Sequence, residues 1–294
     1  MQKIRYGRFV RKNTMPKHAS KGISEPFYGW ITLDDGSLVK AYIKEISLTS
    51  IINEVSAAIL GELIGLNIPT PVIIRANKKK FPKGIEIGDD VLVFGSIDAG
   101  EPTLANQLPE EDIALKIISE FPATSKIMAF DELIGNPDRH TGNLLLSQTG
   151  GNVIPIDHSF GFGDEYRKEW ENTVYFMIGF IIYVMETMIK LGVNIGSDHS
   201  FLDTVGSELE KEILVSFGNY ILESMVRSKA DANVKDKFLK AAIEIKDFLS
   251  SAQLDNHMPE ELLGENLQMV KEFITQRAYA LDDLAKKACS AGAS

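Results

Sequence analysis

The stretch FDELIGNPDRHTGNLLLSQTGGNVIPIDHSFGFG, residues 130–163, decides how this chain reads. It gathers Asp131, Asn136, Asp138, Arg139, His140, Asn143, Asp157 and His158 around a turn and a short hairpin, not along one exposed helix face. The apolar runs Asn143-Leu144-Leu145-Leu146 and Val153-Ile154-Pro155-Ile156 flank Gly150-Gly151 and predict the two arms of that hairpin. Asp138 and Asn143 stand five apart, and Asp157 follows fourteen residues later at the end of the second arm. Singly, Asp138 and Asn143 are ordinary turn residues and Asp157 a strand-end cap. Together they match what phosphoryl transfer from a nucleotide needs: a carboxylate to orient an attacking hydroxyl, and amide and carboxylate oxygens to hold magnesium against phosphates.

Upstream, FYGWITLDDGSLVKAYIKEI (27–46) is two β-rich runs separated by Asp34-Asp35-Gly36-Ser37, and the Asp-Gly pair predicts a hairpin. Lys40 and Lys44 lie on one face of its second strand. In LTSIINEVSAAILGELIGLNIPTP (48–71), Ile52, Val55, Ile59, Leu63 and Leu66 recur at helical spacing. Ser50 or Thr49 is expected to cap this helix, and Pro69 and Pro71 to end it. Glu54 shares a stripe with Ile51, Ala58, Gly61 and Gly65, a mostly small-residue side that lets a helix approach a neighbouring sheet. Val91–Phe94 reads as a short buried strand leading into Gly95-Ser96, where a boundary is expected. Beyond Pro109 helical periodicity dominates, as in EEDIALKIISEF, SKIMAFDELIG, SELEKEILVSFGNYILESMV, VKDKFLKAAIEIKDFL and ENLQMVKEFITQRAYALDDLAKKA. The expected fold class is α+β.

Composition narrows the field. With 294 residues, 44% of them hydrophobic, the chain can bury a sizeable core, which excludes disordered and fibrous classes. A net charge of −10 argues against bulk binding to nucleic acid or an anionic membrane. The first 24 residues run against that balance: seven lysines and arginines and no acid give +7, so the remainder carries −17. Such an arm reads as a charged edge strand followed by a loop, or as a docking arm for an anionic partner. Cys289 is the single cysteine, which rules out an intrachain disulfide and a cysteine-based zinc site and fits a reducing, cytoplasmic setting. Charges scattered through MQKIRYGRFVRKN make a secretory signal peptide unexpected. The uncharged run Thr173–Met185 is too short to span a bilayer and reads as a buried core element, so no membrane span is expected. His18, His199 and His257 sit in polar contexts and read as surface residues.

The run Asn136-Pro137-Asp138-Arg139-His140-Thr141-Gly142-Asn143, preceded by Phe130-Asp131 and followed by Ile156-Asp157-His158, resembles HipA-like kinases and, more distantly, the catalytic loops of phosphoinositide kinases. A catalytic-loop Asp, an Asn five later and a hairpin ending in an Asp is the order protein kinases use, with Asp-Arg-His here in place of His-Arg-Asp. The resemblance implies a two-lobed, protein-kinase-like fold, with a sheet-rich N-lobe over residues 1–96 and a helical C-lobe over 97–294. ATP and Mg²⁺ would sit in the cleft between them. It implies Asp138 as catalytic base or hydroxyl-orienting residue, His140 as a stabiliser near the transferring phosphoryl group, and Asn143 and Asp157 as magnesium ligands. Lys44 would reach the nucleotide phosphates with Glu54 as its ion-pair partner. The loop Ser20-Lys21-Gly22-Ile23-Ser24-Glu25 would cover the phosphates through Ser20, Gly22 and Ser24, although it carries one glycine where a Gly-x-Gly-x-x-Gly loop has three. Ser20 and Ser24 lie where family members are often regulated by self-phosphorylation.

The implied activity is that of a serine/threonine protein kinase with a protein substrate and an antitoxin-like or operon partner. Two other readings stay open: a lipid-headgroup kinase, and a catalytically silent nucleotide-binding interaction module. A metal-dependent phosphohydrolase built from Asp138, His140, Asp157 and His158 is the competing chemistry.

Overall fold

The computed structural model describes residues 5–13, 26–100, 103–147, 152–161, 219–251 and 267–291. Ser20, Gly22 and Ser24, the run Thr173–Met185 and the histidines His18, His199 and His257 lie outside the described residues.

The first half of the chain closes a sheet on itself. β1 (Arg5–Lys12), β2 (Phe27–Leu33), β3 (Leu38–Lys44), β4 (Pro71–Asn77), β5 (Ile85–Ile87) and β6 (Asp90–Ile97) run in the order β3-β2-β1-β4-β6-β5, and β3 also pairs with β6. That second pairing sets Lys44 opposite Phe94 and makes a barrel. The expected β2–β3 hairpin is present, with Thr32 opposite Leu38 and the Asp34–Ser37 turn between the strands. Inward residues Ile31, Ala41, Ile43, Val72, Ile74, Val91 and Val93 fill the barrel, and Phe81 packs edge-on against Phe9 and Phe27. β4 also buries Ile73 on its outer side, which is why its sequence is apolar without alternation.

β1 corrects the edge-strand reading. It pairs antiparallel with β2 and parallel with β4, so it has no free edge. Its basic residues are also partly committed: Arg5 grips Asp34 and Asp35 of the hairpin turn, and Lys12 lies over the Phe27 ring.

α1 (Leu48–Leu63) follows β3. Its cap is Ser47, whose Oγ accepts the Ser50 N–H at 3.1 Å, so the helix starts earlier than a Thr49 or Ser50 cap would set it. Its stop is Gly65, not the prolines. At φ +75° Gly65 takes the left-handed turn, and the Leu66 N–H returns to the Gly61 carbonyl at 2.7 Å.

After β6 come β7 (Thr103–Leu104), α2 (Glu111–Glu120) and α3 (Ala123–Ile134), then the hairpin β8 (Leu144–Leu146) and β9 (Val153–Pro155). β7 adds a third strand to that hairpin, in the order β7-β8-β9. α4 (Tyr220–Ser228), α5 (Val234–Ser251) and α6 (Leu267–Ala291) complete the described elements. Asn219 caps α4 and also donates to the Met128 carbonyl of α3 at 2.7 Å. One continuous core joins α1, Ile73, Leu92 and Phe94 of the barrel's outer side to Ile127, Phe130 and Leu133 of α3, Phe238 and Ile245 of α5 and Leu281 of α6. The architecture is α+β, a barrel followed by helices, with α1 and the β8–β9 hairpin where they meet. No helix among the described residues is long and apolar enough to cross a membrane.

Candidate active site

Three segments meet at Lys44, two of them neighbours in the chain and the third more than a hundred residues on. It ends β3, and its ammonium lies 2.8 Å from Asp157 Oδ2 and 3.6 Å from Glu54 Oε1. The second spacing is an ion pair beyond direct hydrogen-bond range. Lys40, on the same strand, instead stacks over the Trp30 ring at 5.4 Å, so the barrel separates the two lysines that the sequence leaves equivalent.

Glu54 is 6% exposed on α1, and its other oxygen accepts the backbone N–H of His158 at 3.0 Å. Next to it, Asn53 Nδ2 donates to the Ser159 carbonyl at 2.8 Å. Two consecutive helix residues thus fasten α1 to the turn after β9. Asp157 itself has φ +56°, a left-handed conformation that aspartate tolerates when its side chain bonds locally. Here Ser159 Oγ donates to Asp157 Oδ1 at 2.8 Å. Burial pushes the Asp157 carboxyl up, but the Lys44 ammonium outweighs it, aided by Ser159 and His158, and holds the group down at about 2. For Lys44, burial works against the charge, and Glu54 and Asp157 overcome it to raise the ammonium above its ordinary range. Both groups are therefore charged at neutral pH.

The loop after α3 presents Asp138. α3 ends at Gly135 in the left-handed conformation, φ +61°, and Asn136 then bonds Asp131 through both its backbone and side chain. Asn136 Oδ1 in turn receives the Asp138 N–H at 3.2 Å. Asn143 Nδ2 donates to the Asp138 carbonyl at 2.9 Å and to Asp138 Oδ2 at 3.2 Å. The half-exposed His140 accepts the Gly142 N–H on Nδ1, which leaves Nε2 facing Asp138 Oδ1 at 4.0 Å. Beneath them Arg139 is 1% exposed, forked onto Asp131 at 2.9 and 3.1 Å and bonded to the Asn143 and Ile156 carbonyls.

The structure therefore joins Lys44, Glu54 and Asp157 in one cluster and Asp138, His140 and Asn143 in another, and Arg139 spans the loop and the strand that leads to Asp157. Ser20, Gly22 and Ser24 lie outside the described residues. Asn53, Ser159 and the bridging role of Arg139 escape the sequence reading, because nothing local marks which polar side chain of a helix or turn meets a segment distant in the chain.

The donors suit a hard cation. Asp157 is an ionised carboxylate, and Asn143, whose Nδ2 is committed to Asp138, brings an amide oxygen, a donor of the same hard class. A phosphohydrolase site finds less support. His158 is fully buried against Phe130 and Glu54, while His140 is half-exposed in the loop. Among the described residues no group of three or more His, Cys, Asp or Glu stands together to hold a metal.

No curated protein matches the sequence. A Helicobacter pylori proinflammatory kinase, CtkA, is similar over 96% of this chain and 98% of its own, at 13% identity and a TM-score of 0.41. HipA of the Shewanella oneidensis MR-1 toxin–antitoxin system, solved with HipB and operator DNA, is similar over 85% of this chain and 58% of its own, at 11% identity and a TM-score of 0.35. The family model for HipA-like kinase matches residues 13–178, more than half of the chain and the whole of the Lys44-to-Asp157 constellation, so the chain belongs to the HipA-like kinase family.

Proposed function

We propose that this protein is an ATP- and Mg²⁺-dependent phosphotransferase that acts on serine or threonine hydroxyls of a protein. The observation that carries the reading is the three-way junction of Lys44, Glu54 and Asp157, set beside an Asp138–Asn143 pair held in one loop. In this reading nucleotide lies between the barrel, through about residue 96, and the α3–β8–β9 region. Lys44 leaves Asp157 for the phosphates, and Glu54 keeps it extended across the cleft. Asn143 and Asp157 would hold magnesium, which neutralises phosphate charge when bound. Asp138 accepts a hydrogen bond from the acceptor hydroxyl and takes its proton as that oxygen bonds the γ-phosphorus and the bond to the β-phosphate oxygen breaks, releasing ADP. His140, through Nε2, faces Asp138 from the solvent side and would stabilise the transferring group. Ser20, Gly22 and Ser24 would close over the phosphates.

A protein acceptor is favoured over a lipid headgroup by the acidic balance of the chain, which repels an anionic bilayer. A silent nucleotide-binding module is disfavoured because Asp138, Asn143 and Asp157 are all present, and Asp157 is held ionised. The proposal extends to an operon-encoded, antitoxin-like partner that restrains the kinase. The test is incubation with γ-labelled ATP in the presence of cell protein and, separately, of phosphoinositide vesicles. Label on serine or threonine of protein supports the reading. Label confined to lipid replaces it with the headgroup kinase, and ATP binding with no transfer replaces it with the silent module.

A further inference from the structure

We infer that Arg139 is a positioning residue that sets the separation of the two candidate magnesium ligands, Asn143 and Asp157; this rests on the reading of those two as the metal pair. A single guanidinium nitrogen, Nη1, donates to the Asn143 carbonyl at 2.7 Å and to the Ile156 carbonyl at 2.5 Å. The first carbonyl belongs to one ligand residue and the second immediately precedes the other. The Ile156 N–H also returns to the Asn143 carbonyl at 3.0 Å, so the two ligand-bearing backbones are bonded directly and bridged by the same arginine.

The other side of the guanidinium is fixed. Nε and Nη2 fork onto Asp131 of α3 at 2.9 and 3.1 Å, and Asp131 Oδ1 also receives Asn136 Nδ2 at 3.0 Å. Four of the five donors of a buried arginine are thus satisfied, two of them on carbonyls that position ligands. Stability alone does not call for this, since a buried ion pair of this kind adds little over well-packed apolar side chains. Magnesium does call for it, because it demands near-octahedral geometry at short, fixed distances, and a small change in ligand spacing is felt directly. A lysine keeps the charge but has no planar fork, so it cannot hold the Asp131 carboxylate and bridge both carbonyls at once.

The test uses Mn²⁺ as a paramagnetic probe and the β,γ-imido analogue of ATP, with protein-bound Mn²⁺ read by electron paramagnetic resonance. Arg139→Lys should weaken Mn²⁺ binding by about 10–100-fold, as loss of a ligand-orienting group does, while affinity for the analogue without metal stays unchanged. Asp131→Asn retains the arginine and removes the charge that anchors it, so it should shift Mn²⁺ binding in the same direction. This variant decides the matter if Arg139→Lys does not fold. A folded variant with lowered melting temperature and wild-type Mn²⁺ affinity would overturn the inference, because that is the signature of a purely structural arginine. Asp157→Ala is the control. If it too binds Mn²⁺ like the wild type, the metal-pair reading itself fails; if it alone loses Mn²⁺, only the role of Arg139 fails.

Discussion

The Lys44 ammonium lies 2.8 Å from Asp157, so the end of a barrel strand is tied to the turn that leaves the β8–β9 hairpin. That contact has a signature in pH. Asp157 sits at about 2 in the folded chain, below its ordinary value, so its stabilisation is present above the unfolded pKa and is lost as the pH falls through about 2. Lys44 is raised, so its share is complete below its unfolded pKa and fades as the pH rises through the higher folded value. The two shifts describe one interaction, whose acid-side worth is about 2 kcal/mol. Urea denaturation of wild type and Asp157→Asn should show a wild-type advantage at neutral pH that shrinks between about pH 4 and pH 2. An advantage of equal size at both ends of that window would contradict an ionised Asp157.

Asp138→Asn keeps the shape of the loop and removes the carboxylate. Nucleotide should still bind, with turnover lowered by roughly 10²-fold or more. Parallel loss of nucleotide affinity and turnover would assign Asp138 to the architecture of the loop that Asn143 fastens.

Glu54 links α1 to both sides of the site. Glu54→Ala strips the His158 N–H of its acceptor and Lys44 of its second carboxylate, so affinity for an ATP analogue should fall roughly tenfold. Glu54→Gln retains an acceptor for His158 and should fall less. Equal affinities in all three proteins, measured by calorimetry, would remove Glu54 from the nucleotide site.

Arg139→Ala leaves Asp131 as a carboxylate only 2% exposed, with its counter-charge gone. Chemical denaturation should record a loss of about 3–5 kcal/mol. A change below about 1 kcal/mol, the range of exposed pairs, would mean that solvent reaches this pair.

Much of this was legible in the chain, and the exceptions share a cause. The spacing of Asp138, Asn143 and Asp157, and the family resemblance that singles out Lys44 and Glu54, point to side chains that the structure gathers into two neighbouring clusters, and the β2–β3 hairpin announces itself through Asp35-Gly36. Local signals fail where a distant segment decides. The basic β1 resembles an edge strand because its charges suggest solvent, yet its parallel partner β4, more than sixty residues away, covers that edge. The stop at Gly65 precedes the prolines because the Leu66 N–H finds the Gly61 carbonyl first. Arg139, within a run of polar turn residues, could not be told from an exposed arginine until α3 brought Asp131 over it.

The central claim is that the Lys44–Glu54–Asp157 junction and the Asp138 loop form one phosphotransfer centre. Purified wild type, Asp138→Asn and Asp157→Ala, each incubated with γ-labelled and separately with α-labelled ATP and protein acceptors, test it most directly. The account predicts γ-label on protein with the wild type, near-background γ-label with both variants at retained fold, and no α-label in any of them. Transfer of α-label, or γ-label undiminished in Asp157→Ala, would contradict it.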